Sequence, residues 1–201
     1  MFYNSAMART RSFDRDAVLA AAGNAFRQHG YRDASIAELE RATGLVSGSI
    51  YNAFGDKAGL FRAALEHYVH GFVRQRVAAF AGADAGLEQL EQLYLSVLEP
   101  PLSDGYGCLV NNSIIEFGTA PGIASDGIAE TLTLVREGIA SVLAREIGSV
   151  GAESEAMQLV LLYHGVLTLS RSGTSLEAMR GAVSATFERL HASRAQHNKK
   201  Q

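Results

Sequence analysis

At 201 residues, 47% hydrophobic and 19% charged, the chain has a globular makeup and is too apolar to be disordered. A net charge of −3 counts against nucleic acid as a partner, yet distribution matters more than the total. Residues 1–57 hold seven basic and six acidic side chains, the remainder eleven and fifteen, and Arg9, Arg11 and Arg15 cluster near the start. One cysteine, Cys108, excludes an intrachain disulfide framework and a multi-cysteine zinc site. No apolar run is long enough to cross a bilayer, so no membrane partner and a cytoplasmic address are expected. The opening MFYNSAM lacks the basic-then-apolar order of a secretory leader; residues 1–7 and 195–201 are expected to be flexible tails.

In chain order, Asp14 or Asp16 caps a first helix running to about His29, which Gly30 ends. A second covers 35–42, with Ser35 as its N-cap and Ile36, Leu39 and Ala42 as its apolar stripe. Gly44 then needs a left-handed backbone to turn the chain. A third helix covers 46–54, with Val46, Ile50, Ala53 and Phe54 inward and Ser47, Gly48, Ser49, Tyr51 and Asn52 outward. Asp56 caps a long helix to about Ala81. Further helices are expected over 87–99, ending at Pro100-Pro101, over 108–117, 123–147, 153–172 and 175–193. No segment alternates with a period of two, so the fold class is all-α: an N-terminal three-helix module over 8–57 and a larger helical domain over 58–194.

The helix-turn-helix at 35–54 carries the functional reading. Its second helix has a small, polar, hydrogen-bonding outer face, which suits insertion into the DNA major groove. Ser47, Ser49 and Asn52 are candidates for base edges. Tyr51, Lys57 and Ser35 are candidates for phosphate, the last two lying at helix N-termini, and Arg9 and Arg11 are candidates for reaching along the duplex.

The stretch Ala34-Ser35-Ile36, Leu39, Ala42-Thr43-Gly44-Leu45 and Gly48-Ser49-Ile50-Tyr51-Asn52-Ala53-Phe54-Gly55-Asp56-Lys57, then Leu60-Phe61, resembles the TetR-type (tetracycline-repressor-type) regulators. Phe26 and Gly30-Tyr31 fit as well. Four positions depart from that pattern. Glu40 and Thr43 stand where alanine is usual, Val46 where a capping serine is usual, and Ser47 where lysine is frequent. The resemblance implies a one-component repressor that binds a palindromic operator as a dimer and is released by a small-molecule or reactive effector. The rival reading is a helical ligand-binding or protein-interaction module that does not act on DNA.

In the last two helices Tyr163, Leu176, Met179, Val183, Phe187 and Leu190 fall at three- and four-residue steps, beside small residues such as Gly165, Gly181 and Ala182. The plainer reading is a hairpin packed on its own body. The sharper one is a two-fold four-helix bundle between subunits, as in the family, which would set two reading helices roughly 34–36 Å apart. Tyr94, Cys108, Phe117, Tyr163, His164 and Arg171 are the candidates for an effector pocket. Cys108 follows a glycine-bearing loop at a helix start, and Gly107-Cys108-Leu109 resembles a segment of a family subgroup that includes sensors of oxidants or electrophiles. No nucleophile elbow, phosphate loop or dinucleotide fingerprint is present, so no enzyme and no cofactor are expected. His67 and His70 share a face without a third ligand, which reads as a solvated face rather than a metal site.

Overall fold

The structure is a computed structural model, described over residues 13–118, 120–149 and 152–199. Helix α1 spans Arg15–Asp33, and the Asp14 carboxylate caps it by accepting from the amides of Asp16 and Ala17. Gly30, at φ 78° and ψ 169°, kinks the last turn, a conformation closed to residues with a Cβ. Helices α2 (Ile36–Thr43) and α3 (Ser47–Phe54) follow, then α4 (Lys57–Tyr68). A π-helical turn over Val69–Val73 joins α4 directly to α5 (Arg74–Ala81), so the long helix expected from the sequence is present with a bulge inside it. The body continues with α6 (Leu87–Leu95), α7 (Leu109–Phe117), α8 (Ser125–Ile147), α9 (Ala152–Leu169) and α10 (Leu176–Asn198). Among the described residues there is no strand, and no helix is long and apolar enough to cross a membrane.

One connected apolar core runs from Leu19 in α1 to Leu190 in α10. α1 packs on α4, α2 and α7, which joins the three-helix module to the body on its first helix. Two polar clamps reinforce that joint. Arg27, 4% exposed, donates from Nε to the Gly107 carbonyl (2.7 Å) and from Nη2 to Asp104 (2.9 Å) and the Pro101 carbonyl (3.2 Å). The Glu116 carboxylate of α7 accepts from the backbone amides of Tyr31 (2.9 Å) and Arg32 (2.7 Å), just past the kink. Between the clamps, Phe26, Tyr31, Phe61 and Phe117 form a ring cluster with centroids 5.0–6.2 Å apart.

Three expectations are corrected here. Met179, Val183, Phe187 and Leu190 are buried in the protomer's own core, where α10 packs on α6 and α8. Tyr163 is buried too, edge-on to Tyr94, so these five do not form a subunit surface. The plainer reading of that amphipathic pattern holds for them; of the six, only Leu176 is well exposed. Residues 195–198 are not a tail but the last helical turn of α10. Arg194 secures that end by donating to Glu88 on α6 and Glu146 on α8, both at 2.8 Å, and its guanidinium holds the Glu88 carboxyl below its ordinary range. Lastly, α6 stops at Leu95, and a 3-10 turn over Ser96–Leu98 takes the place of the helix end expected near residue 99.

Candidate nucleic-acid interface

The second helix of the module is built to start sharply. Ser35 and Glu38 form a reciprocal capping box: the Glu38 amide donates to Ser35 Oγ (3.2 Å), and the Ser35 amide donates to Glu38 Oε2 (2.7 Å). The bond from the Ser35 amide, and after it the one from the Ser35 hydroxyl, hold the Glu38 carboxyl below its ordinary range. The Ser35 hydroxyl also donates to Glu38 Oε2 (2.8 Å). Ser35 is therefore committed to its own cap, with a carboxylate where a phosphate contact was expected. Gly44 takes the left-handed conformation (φ 69°, ψ 8°) and its amide returns to the Glu40 carbonyl.

The turn delivers α3 with Ile50 fully buried and Gly48, Tyr51 and Asn52 exposed. Ser47 and Ser49 are half-buried, so the outward face is narrower than the sequence pattern indicates. A Cβ added at Gly48 would meet nothing within 4 Å, which leaves room there for a partner's backbone. Val46 corrects another expectation: it is the N-cap of α3 and is 67% exposed. Helical spacing assigned it inward, but an N-cap lies outside the helical register. The exposed methyl groups thus stand at the leading end of the helix. Ala42, assigned to the apolar stripe of α2, is likewise exposed.

After α3, the Asp56 carboxylate caps α4 by accepting from the Gly59 amide at 2.7 Å. Lys57 opens that helix, and its ammonium donates to the Arg32 carbonyl (3.2 Å) and sits 4.8 Å from the Tyr31 ring centroid. Arg15 lies over the Phe54 ring. Arg9 and Arg11 fall outside the described residues.

Residues 18–64 match the family model of bacterial regulatory proteins, tetR family. The HTH-type transcriptional repressor ComR of Escherichia coli (strain K12) is 37% identical over 90 residues, 45% of this chain and 43% of that protein. The repressor AcnR of Corynebacterium glutamicum is 45% identical over 49 residues, 24% of this chain and 26% of its own length. The chain therefore spans less than half the length of these curated relatives. A solved structure of the TetR family transcriptional regulator CifR, a cysteine mutant complexed with 26-bp operator DNA, is similar over nearly the whole length. It shows 27% identity and a TM-score of 0.73, covering 90% of this chain and 98% of that one. Residues 18–64 are thus similar to the DNA-binding module of the tetR family, and the fold is similar to that of a TetR family regulator over 90% of the chain.

Within this TetR-type module, the departures from the usual pattern work together. Val46 offers no side-chain cap to α3. The Glu40 carboxylate, from the preceding helix, accepts a hydrogen bond from the Ser47 amide instead. Thr43 secures the turn from within, donating to the Leu39 carbonyl (2.7 Å) and accepting from the Leu45 amide (3.3 Å). The missing cap is supplied across the turn. No local capping pattern flags this, because the acceptor lies seven residues back.

The residues expected to line one effector pocket do not come together as a group. Tyr94 is fully buried and donates to the Leu159 carbonyl (2.9 Å), with the Tyr163 and Phe187 rings packed edge-to-face against it. Burial pushes the Tyr163 hydroxyl up to about 12. Phe117 is far off in role, part of the ring cluster at the α1 joint. Arg171 is exposed, with its methylene stem lying over Gly107. His164 bonds through Nδ1 to Asn111 Oδ1 (3.1 Å), while its buried Nε2 has no partner, and burial lowers its basicity. Cys108 is 6% exposed, so the access expected of a sensor thiol is closed and the side chain packs as a small hydrophobe. His67 and His70 face different carboxylates, Asp16 and Glu130.

Glu40→Ala leaves the first turn of α3 without a side-chain cap and should cost about 0.5–2 kcal/mol of stability. Urea unfolding of the two proteins measures it. Glu40→Gln retains an acceptor and should recover part of the loss.

Proposed function

We propose that this chain is a homodimeric, one-component transcriptional repressor that reads a palindromic operator with α3 and answers to an effector bound in its helical body. The observation that carries the reading is α3 itself: a short helix fixed at its start by Glu40 and Thr43, with Val46, Gly48, Tyr51 and Asn52 facing solvent. Such a face fits the major groove, with Asn52 suited to adenine, the Val46 methyl groups to thymine methyl, and Tyr51 to a phosphate oxygen. Ser47 and Ser49 lie beside it, half-buried, as further base-edge contacts. Lys57 adds positive charge at the start of α4. In this reading residues 8–57 are the DNA-binding unit and 58–194 the effector and dimerisation unit. The protein acts by binding, without a catalytic step, and works in the cytoplasm where its DNA lies.

A single α3 makes few base contacts, so two copies must act together. With the inner face of α10 used by the core, the remaining surface is the outer face of the last two helices. On α9 Met157, Leu161 and Thr168 form an exposed stripe, and on α10 Ala178, Gly181, Ala182 and Ala185 form another with little side-chain bulk. Small residues at helical spacing let a second helix approach closely, and an isologous contact of this kind closes as a dimer.

Lys57→Ala and Tyr51→Phe should weaken binding to all duplexes alike, and Lys57→Ala should lower the salt slope by about one unit. Asn52→Ala should relax base preference by roughly 1–3 kcal/mol at one position. Anisotropy titrations on selected genomic fragments over a range of salt measure all three. Affinity that ignores salt would favour the protein-interaction reading. For the dimer, Leu161→Asp should yield a folded monomer by light scattering, whereas Val183→Asp should lose helicity, because it buries a charge inside the protomer.

A further inference from the structure

The opening of α3 carries an anion at the place where a duplex would offer phosphate. The Glu40 carboxylate, reaching across the turn from α2, accepts from the Ser47 amide, the first of the helix. The Ser49 amide is taken as well, by the Val46 carbonyl at 2.9 Å. Amides exposed at a helix start ordinarily make a dock for a phosphate oxygen. Here part of that dock is filled from within, by a group with the phosphate's own sign of charge.

The neighbouring side chains do not offset that charge. Val46, the N-cap, is apolar and 67% exposed, so it brings no donor. Helix α3 itself holds no charged residue. Arg41, next to Glu40 in sequence, is turned along α2, where its Nε donates to the Ala37 carbonyl (3.4 Å). Among the described residues no ion pair involves Glu40. Its side chain is half-buried, beside the exposed Val46, so the charge is felt at the surface. The leading end of the reading helix is thus apolar and negative, while the cation Lys57 stands apart at the start of α4.

We propose that Glu40 is a specificity-determining residue: seated on the Ser47 amide, its carboxylate keeps backbone phosphate from the start of α3 and weakens binding to duplexes that lack the operator sequence. The inference rests on the regulator reading above. Binding without sequence preference comes almost wholly from charge, through neutralised phosphates. A helix-turn-helix lying on a random duplex has the phosphates as its available contacts, and an open α3 start would take one. The Glu40 carboxylate turns that contact into a like-charge repulsion. On the operator the same end of the helix meets base edges, through Val46 and Ser47, and the phosphate contacts fall to Tyr51 and Lys57. The repulsion therefore acts mainly on wrong sequences, and discrimination widens although no base touches the carboxylate.

The test measures affinity and salt slope of the full chain on a selected operator fragment and on a scrambled duplex of equal length and composition. Glu40→Gln keeps an acceptor for the Ser47 amide and removes only the charge. It should tighten the scrambled duplex about fivefold, the factor of one close like-charge pair in water. The salt slope on that duplex should steepen by about one unit. The operator should gain less, so the ratio between the two narrows. A residue that served only as a cap would leave Glu40→Gln close to the wild type on both duplexes. Val46→Asp supplies a side-chain cap together with a second negative charge, and should weaken the scrambled duplex by a similar factor. Circular dichroism checks that both variants are folded. Asp84→Asn, an equal change in net charge at an exposed residue in the turn after α5, should leave both affinities as they are. A Glu40→Gln protein that binds the scrambled duplex no tighter than the wild type overturns the proposal, as does an equal gain from Asp84→Asn or an unchanged Val46→Asp. Wild type that binds neither duplex in a salt-dependent way overturns the regulator reading, and this proposal with it.

Discussion

The buried Arg27 guanidinium is the constraint on which the rest of the arrangement depends. A charge enclosed by protein is tolerated only when it is paired and hydrogen-bonded. Asp104, the Asn24 side chain and two loop carbonyls meet that demand, and three of these four partners lie between residues 101 and 107. The Arg27 carbonyl in turn accepts from Asn112 Nδ2 (3.3 Å), which also donates to the Tyr106 carbonyl. One side chain thereby fixes the position of α1 against the body and the shape of the loop that leads into α7. Glu116 repeats the logic one helical turn further on, holding the two amides that the Gly30 kink exposes.

From that joint the geometry is passed outward through rigid steps. Phe26, Tyr31 and Phe61 lock α1 to α4, and Lys57 closes the far end on the Arg32 carbonyl. The α2–α3 turn is tied by Gly44, Thr43 and Glu40, so α3 has little freedom relative to α1. A change at the joint must therefore move the recognition helix as part of a body, not bend it locally.

Much of this was legible in the sequence, for physical reasons. Helical period, Ser35, Gly44 and Asp56 mark the helix-turn-helix because caps and a left-handed residue are local requirements, read over three or four positions. The side-chain direction of Val46 was not, since it precedes the register that periodicity measures. The apolar stripe of α10 was visible, but periodicity shows only that Val183 and Phe187 are buried. It cannot say whether the covering surface is the protomer's own α6 and α8 or a second chain. Arg27, Glu116 and Glu40 were missed as structural residues for a common reason. Charged side chains are ordinarily exposed, and their partners lie 77, 84 and 7 residues away. The pocket candidates were chosen by residue type, and aromatic residues such as Phe117 proved to be packing for the joint.

The most direct test of the central claim, that operator reading depends on the Arg27 joint, is the operator affinity of Arg27→Met at fixed salt. Circular dichroism must first show that the variant remains folded at the temperature of measurement. The account predicts an affinity loss of about tenfold or more, roughly 1.4 kcal/mol, although residue 27 lies on the body-facing side of α1. A folded Arg27→Met protein that binds the operator as tightly as the wild type would contradict it.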